Sequence, residues 1–305
     1  MNFPADLVEE GRPVLIAGPT ASGKSAAAAS LAVHAMDRGR AAAVINADSM
    51  QVYGGLRVLT ARPDVEAEAD VPHRLYGHVP PSERYSVGRW LGDIAPVLAE
   101  ARAQGALAIV VGGTGLYFRA LTEGLTAVPE IAQEIRRRWL EALEQSGPEE
   151  LHALLSERDP ATASRLKPGD STRIVRALEV LDATGRSLLD WQEQETSAPL
   201  LPAGSARRLV LSPERPVLYG RIDRRFEGMV AAGALDEVRD LLKLELSPEL
   251  PAMKAIGVRE FAAVLAGEME PADAIARAQQ ETRRYAKRQG TWFRNQMSDW
   301  ERIDA

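Results

Sequence analysis

The octapeptide Gly18-Pro19-Thr20-Ala21-Ser22-Gly23-Lys24-Ser25 constrains this chain more than any other stretch. It matches GxxxxGK(S/T), a pattern that average residue usage produces by chance in roughly one chain in a hundred of this length. Its flanks sharpen the match. The apolar run Pro13-Val14-Leu15-Ile16-Ala17 predicts a short buried parallel strand, and the Ala-rich stretch 24–36 predicts a helix. A glycine-rich turn in that position is a P-loop. Backbone N–H groups there curl around phosphate oxygens, the helix N-terminus adds partial positive charge, Lys24 adds a full one, and the Ser25 hydroxyl suits Mg²⁺. Gly18, Thr20, Ala21, Ser22, Gly23, Lys24 and Ser25 are therefore the expected site of a diphosphate or triphosphate. Which ester it is stays open on this motif alone, although the chain lacks the NKxD sequence that GTP-binding proteins normally use to read guanine.

Two further apolar runs end in polar or glycine-rich loops. Residues 41–45 run into Asn46-Ala47-Asp48, and residues 107–111 run into Gly112-Gly113-Thr114-Gly115. Strands alternating with helices predict an α/β fold with a P-loop parallel sheet flanked by helices, and ligands in such sheets sit beyond the strand C-termini. Three candidate loops therefore converge. Asp48 fits either Mg²⁺ coordination or general-base catalysis, with a helix-capping Asp as the bland alternative. Gln51 carries an amide able to pair with a nucleobase. Thr114 offers a hydroxyl, beside glycines that permit close backbone approach to a ligand.

At about 150 residues per domain, 305 residues predict two domains. Helical periodicity replaces strand-like runs in 131–145, 149–156 and 174–181. The expected division is a catalytic core of 1–127 and 207–305, with basic C-terminal helices, around a helical insertion of 128–206. Residues 208–211 are expected to form the last strand, and everything from residue 214 onward reads as helical. Phe226, Met229, Val230, Val238, Leu241 and Leu242 are spaced for one buried face.

With no cysteine, disulfides, thiolate metal sites and cysteine nucleophiles are excluded. His34, His73, His78 and His152 have no metal-binding spacing. The acidic opening residues lack the pattern of a secretory leader, and no uninterrupted apolar stretch is long enough to span a bilayer, so a soluble cytoplasmic protein with no membrane association is expected. The net charge of −6 argues against non-specific coating of nucleic acid, but it is unevenly spread. Residues 277–296 carry Arg277, Arg283, Arg284, Lys287, Arg288 and Arg294 against Glu281 alone. Basic residues interleaved with aromatics, as in Arg284, Lys287, Arg288 and Trp292, suit a nucleic-acid backbone. Arg221 and Arg225 stand four apart on one helical face and suit a phosphate, as do Arg173 and Arg176 at the start of a helix capped by Asp170. Each of these arginines is also compatible with a plain solvated surface.

Taken together, GPTASGKS, INADSMQVY, VVGGTGLYFRAL, DSTRIVRALEV, KAIGVRE and RRYAKRQGTWFR, in this order, resemble the tRNA dimethylallyltransferases, also called tRNA isopentenyltransferases. The resemblance runs over residues 13–296. It departs at Leu59-Thr60-Ala61-Arg62-Pro63, where the family usually has GTAKP, and at Val258, where an aromatic is common. It implies transfer of a dimethylallyl group from dimethylallyl diphosphate to N6 of the adenosine 3′ of the anticodon, in tRNAs reading codons that begin with U. It also implies Mg²⁺ as cofactor and the tRNA anticodon stem-loop as partner. Asp48, Thr114 and Arg225 become the catalytic set, and tRNA contacts map to Asp48, Ser49, Met50, Gln51, Thr114, Arg136, Thr172, Arg173, Ile174, Val175, Arg176, Lys254 and Arg259. Arg284, Lys287 and Arg288 join them from the basic helix, and the expected state is a monomer. A P-loop small-molecule or nucleotide kinase is the alternative, with the surplus of basic helices against it.

Overall fold

Apolar runs too short for helices and buried on both faces drive the architecture. The computed structural model describes residues 11–126, 128–129, 131–194 and 196–304; the opening segment read above as lacking a leader, and the domain limit at residue 127, lie outside the described residues. In chain order the elements are β1 (Val14–Ala17), α1 (Lys24–Asp37), β2 (Ala42–Asn46), α2 (Val65–Asp70), β3 (His73–Arg74), α3 (Val87–Ala103), β4 (Leu107–Gly112) and α4 (Gly115–Glu123). They continue with α5 (Gln133–Arg158), α6 (Pro160–Ala163), α7 (Ser171–Thr184), α8 (Leu188–Gln194), β5 (Arg207–Leu211), α9 (Arg215–Ala231), α10 (Ala234–Leu242), α11 (Val258–Leu265), α12 (Pro271–Gln296) and β6 (Glu301–Ile303).

The six strands form one sheet in the order β3-β2-β4-β1-β5-β6, and every pair is parallel. Alternation along β1 sends side chains to opposite faces. Val14 and Ile16 pack with Ala27, Ala28, Leu31 and Ala32 of α1, while Leu15 and Ala17 pack with Trp90, Ile94, Phe118 and Phe293. The alanines of α1 let it approach the sheet closely. Each buried Val, Leu or Ile contributes about 1.5–3 kcal/mol by leaving water. A third cluster joins Phe226, Met229, Val238 and Leu241 to Phe261 and Ala274. These residues share a buried face as expected, but on two helices, because Gly233 turns the chain at φ 95° between α9 and α10.

Two expectations are corrected: that 208–211 form the last strand, and that everything from residue 214 onward is helical. β5 is not the last strand: β6 pairs with it at the sheet edge through Leu209–Glu301 to Leu211–Ile303. Glu-Arg-Ile is too short and polar to announce a strand; Arg302 also caps α12 by donating to the Phe293 and Met297 carbonyls. The two-residue β3 escaped for the same reason.

The chain divides into two compact units, Met1–Thr122 with Leu200–Ala305, and Glu123–Pro199. The second is helical, built on Trp139, Leu151, Leu155, Ile174, Val175 and Leu178. Within it, Gly147 at φ 76° breaks α5 just before Pro148. Among the described residues no helix is long and apolar enough to cross a membrane.

Trp90 ties core to site: wholly buried, it stacks on Tyr117 at 4.5 Å and donates its indole N–H to the Asn46 carbonyl at 2.9 Å. Trp90→Phe keeps the stack and leaves that carbonyl unpaired, so urea unfolding should show a loss of about 1–3 kcal/mol.

Candidate active site

The P-loop leaves β1 and enters α1 through a turn that ordinary side chains disfavour. Gly23 adopts φ 89° and Ala21 φ 62°, and Ser22 N–H closes the turn on the Pro19 carbonyl at 3.1 Å. Lys24, only 9% exposed, donates to that same carbonyl at 3.3 Å. Burial lowers its pKa to about 8 from 10.5, with Asp48 pulling upward and Arg225 adding to the depression. Arg225 reaches in from α9 to donate to the Thr20 hydroxyl; burial lowers its pKa too, and Asp48 again opposes. Its neighbour Asp223 pairs with Arg283 of α12, not with an arginine of its own helix.

The loop after β2 is held by Asn46. Its amide donates to the carbonyls of Asp48 and Leu75, both at 3.0 Å, and its oxygen accepts from the Asp48 N–H at 2.8 Å. Asp48 Oδ1 accepts from the Met50 N–H at 2.9 Å. The loop after β4 is stitched alongside. Thr114 N–H donates to the Ala47 carbonyl at 3.2 Å, and Thr114 Oγ1 accepts from the Ser49 N–H at 2.9 Å while bonding the Ser49 hydroxyl at 3.2 Å. Because β4 lies between β1 and β2, all three loops leave neighbouring strands at the same edge.

The glycines here admit the protein's own atoms. A Cβ on Gly112 would collide with the Ala47 carbonyl, one on Gly113 with the Gln289 amide, and one on Gly115 with the Trp292 ring. Tyr117, Tyr76 and Tyr285 also surround the crevice: burial first, and the Asp48 charge second, raises the pKa of each hydroxyl. Sequence reasoning missed Asn46, Tyr285 and Gln289, none of which belongs to a residue class that announces chemistry by spacing.

Gly18 to Ser25, Asp48, Ser49, Thr114 and Arg225 thus stand around one crevice, with Ser25 exposed at the first turn of α1. Gln51 turns inward, its amide donating to the Thr60 and Ala61 carbonyls at 2.8 and 3.0 Å, so its N–H groups are already occupied. Met50 is half-buried against the third cluster. Lys254 pairs with Glu249 at 2.8 Å, and Arg259 is exposed on α11. On α12, Arg284 pairs with Glu281. With Lys287, Arg288 and Trp292 it lines an open groove of about 500 Å³. Phe293 is core, 1% exposed.

In the helical unit, Asp170 caps α7 by accepting from the Arg173 N–H at 3.3 Å. Arg136 and Arg176 approach the buried Glu179 at 3.8 and 3.4 Å, and Thr172 and Arg173 are exposed. Ile174 and Val175 are 0% and 5% exposed and belong to that unit's core, which withdraws their side chains from any contact with a partner.

A family model described as IPP transferase matches residues 51–296. The tRNA dimethylallyltransferase of Chelativorans sp. (strain BNC1) is 56% identical, covering 95% of this chain and 97% of its own. That of Sinorhizobium medicae (strain WSM419) is 53% identical, covering 98% and 97%. Among solved structures, the full-length tRNA isopentenylpyrophosphate transferase of Bacillus halodurans superposes with TM-score 0.66 at 33% identity, covering 96% of this chain and 90% of that one. A eukaryotic dimethylallyltransferase acting on tRNA gives TM-score 0.77 at 28% identity, covering 96% and 73%.

The depressed Lys24 pKa makes anion binding pH-dependent. A bound polyanion favours the protonated amine, so above pH 8 binding must take up a proton and affinity falls. Calorimetry with inorganic diphosphate should show about tenfold weaker binding at pH 9 than at pH 7 once the ligand's own ionisation is subtracted using Lys24→Met.

Proposed function

This chain belongs to the IPP transferase family, and we propose that it moves a dimethylallyl group from dimethylallyl diphosphate to N6 of the adenosine 3′ of the anticodon, in tRNAs reading codons that begin with U. The carrying observation is electrostatic. The Asp48 carboxylate acts on Lys24 and Arg225 together, raising the pKa of each against burial. An acid facing the phosphate cradle, with a hydroxyl loop stitched beside it, suits a reaction that joins a nucleobase to the carbon of a diphosphate ester.

An exocyclic amine is a weak nucleophile because its lone pair is delocalised into the ring. As the bond from N6 to C1 of the allyl group forms, the amine acquires positive charge, and Asp48 accepts its proton. The C1–O bond breaks at the same carbon and its electron pair leaves with diphosphate. The P-loop N–H groups, Lys24 and Arg225 meet that departing charge. Thr114, its hydroxyl fixed by Ser49, orients the adenosine. Removing the base from its stack is required before it reaches Asp48.

Mg²⁺ fits the residues present. Ser25 exposes its hydroxyl beside Lys24, and among the described residues no cluster of three His, Asp or Glu forms a cage, which matches a cation held mainly by phosphate oxygens and water. Bound there, it would neutralise charge on the leaving diphosphate.

Flanking RNA is held by Ser49, Gln51, Lys254 and Arg259, by Arg284, Lys287 and Arg288 on α12, and by Arg136, Thr172, Arg173 and Arg176 of the helical unit, the tRNA clamp. The protein works as a monomer in the cytoplasm.

With Mg²⁺, labelled dimethylallyl diphosphate and an unmodified anticodon stem-loop, wild type should transfer label, and a stem-loop lacking the adenosine amine should take none. Asp48→Ala should lower kcat by about 10²–10⁴ with RNA binding retained. Transfer undiminished in Asp48→Ala would overturn the assigned base; ATP consumed with no prenyl transfer would favour a kinase.

A further inference from the structure

Gln289 takes no part in the chemistry above, yet its side chain joins the phosphate cradle to the Thr114 loop. It is 6% exposed on α12, and both ends of its amide are engaged. Oε1 accepts from the Thr20 N–H at 2.9 Å, and Nε2 donates to the Gly113 carbonyl at 2.8 Å. One partner belongs to the phosphate cradle after β1, the other to the Thr114 loop after β4. Gly113 is the thin layer between this amide and the carboxylate: a Cβ there would meet the Gln289 nitrogen and stand 3.2 Å from Asp48 Oδ2.

We propose that Gln289 is a positioning residue that sets the separation and tilt between the diphosphate cradle and the Asp48–Thr114 loops, acting through the backbone of Thr20 and Gly113. The inference rests on the prenyl-transfer reading. Displacement at an allylic carbon needs the nucleophile and leaving group aligned about that carbon, and a misplacement of about 1 Å costs on the order of 10²-fold in rate. Here the leaving group is fixed by one loop and the nucleophile by two others, so any slack between loops is slack in the reaction coordinate. A primary amide suits the joint because it carries an acceptor and a donor on one tip. Being neutral, it also adds no charge beside Asp48. Its neighbours on the same face of α12, Tyr285 at one turn before and Trp292 nearly one turn after, press on the same floor: Tyr285 senses the Asp48 charge, and Trp292 fills the space over Gly115.

The test uses the full chain carrying Gln289→Met or Gln289→Glu beside wild type. Methionine removes both hydrogen bonds at similar volume. Single-turnover prenyl transfer should fall about 10- to 100-fold, tRNA affinity should stay within about threefold, and the Thr20 amide should exchange hydrogen at least about tenfold faster while Leu15 and Ile16 stay protected. Glutamate keeps the acceptor for Thr20 and loses the donor for Gly113, setting a second carboxylate near Asp48. Thr20 protection should then survive, and the acid limb of the kcat/KM profile should move to higher pH.

Wild-type turnover together with an unchanged Thr20 exchange rate in Gln289→Met would overturn the proposal. A rate loss matched by equal deprotection of β1 would overturn it as well, by marking a general loss of structure. If the methionine variant does not fold, the glutamate variant decides: wild-type kcat with an unmoved acid limb overturns it. Thr20 exchange needs no turnover, so a wild type that transfers no label would refute the reaction while leaving the tie itself to be judged on exchange.

Discussion

The buried Lys24 and the half-buried Arg225 both feel the charge of a single carboxylate, Asp48, in this crevice, so positive charge there outweighs negative. Holding Lys24 at a pKa of about 8 when its ordinary value is 10.5 corresponds to on the order of 3 kcal/mol of unfavourable charging. Arg225 bears a penalty of the same origin. Asp48 offsets part of both and cannot offset all of either. On the proposed prenyl transfer, a diphosphate would relieve the remainder, and its binding would be coupled to the charge state of Lys24 and Arg225. Relief realised on binding would lower the dissociation constant alone; only the part that grows as charge builds on the leaving oxygen would lower the barrier.

That electrostatic set exists only because of strand order. Inserting β4 between β1 and β2 places the Gly112–Thr114 segment against the Asp48 loop on one side and the P-loop on the other. Parallel strands need crossovers, and here each crossover delivers one site loop to the same edge. The cost is crowding, and three glycines meet it. Gly112, Gly113 and Gly115 give space to the Ala47 carbonyl, the Gln289 amide and the Trp292 ring in turn. Glycines that read in the sequence as room for a ligand are room for neighbouring protein, and the ligand's pocket is what that close packing leaves.

The sequence made the sheet and the main polar residues legible for physical reasons. Buried parallel strands announce themselves as short apolar runs, and a P-loop must keep its glycines and lysine at fixed spacing. Asp48 was legible as an acid at a strand end, though not which partners it faced, because facing depends on strand order and order has no local signal. β3 and β6 were invisible, since two or three edge residues carry no period. Gln289 was hidden more deeply: a glutamine on a basic helix looks solvated, and only the packing of α12 on the floor of the site turns it inward. In the helical unit, packing among that unit's own helices buries the side chains of Ile174 and Val175.

α12 therefore has two chemistries at helical spacing. Lys287, Arg288 and Thr291 are exposed and line the basic groove with Arg284 and Trp292. Tyr285, Gln289 and Trp292 lie against the crevice. Residues three and four apart are neighbours on a helix, so Arg284, Lys287, Arg288 and Thr291 gather on the groove side, Tyr285 and Gln289 on the crevice side, and Trp292 borders both. A rigid helix moves as one body, which means a load on its outer groove is felt by the amide that spans the loops. On the proposed function, the RNA phosphate bound outside and the reaction inside are served by one uninterrupted helix, Pro271–Gln296, with no loop between them.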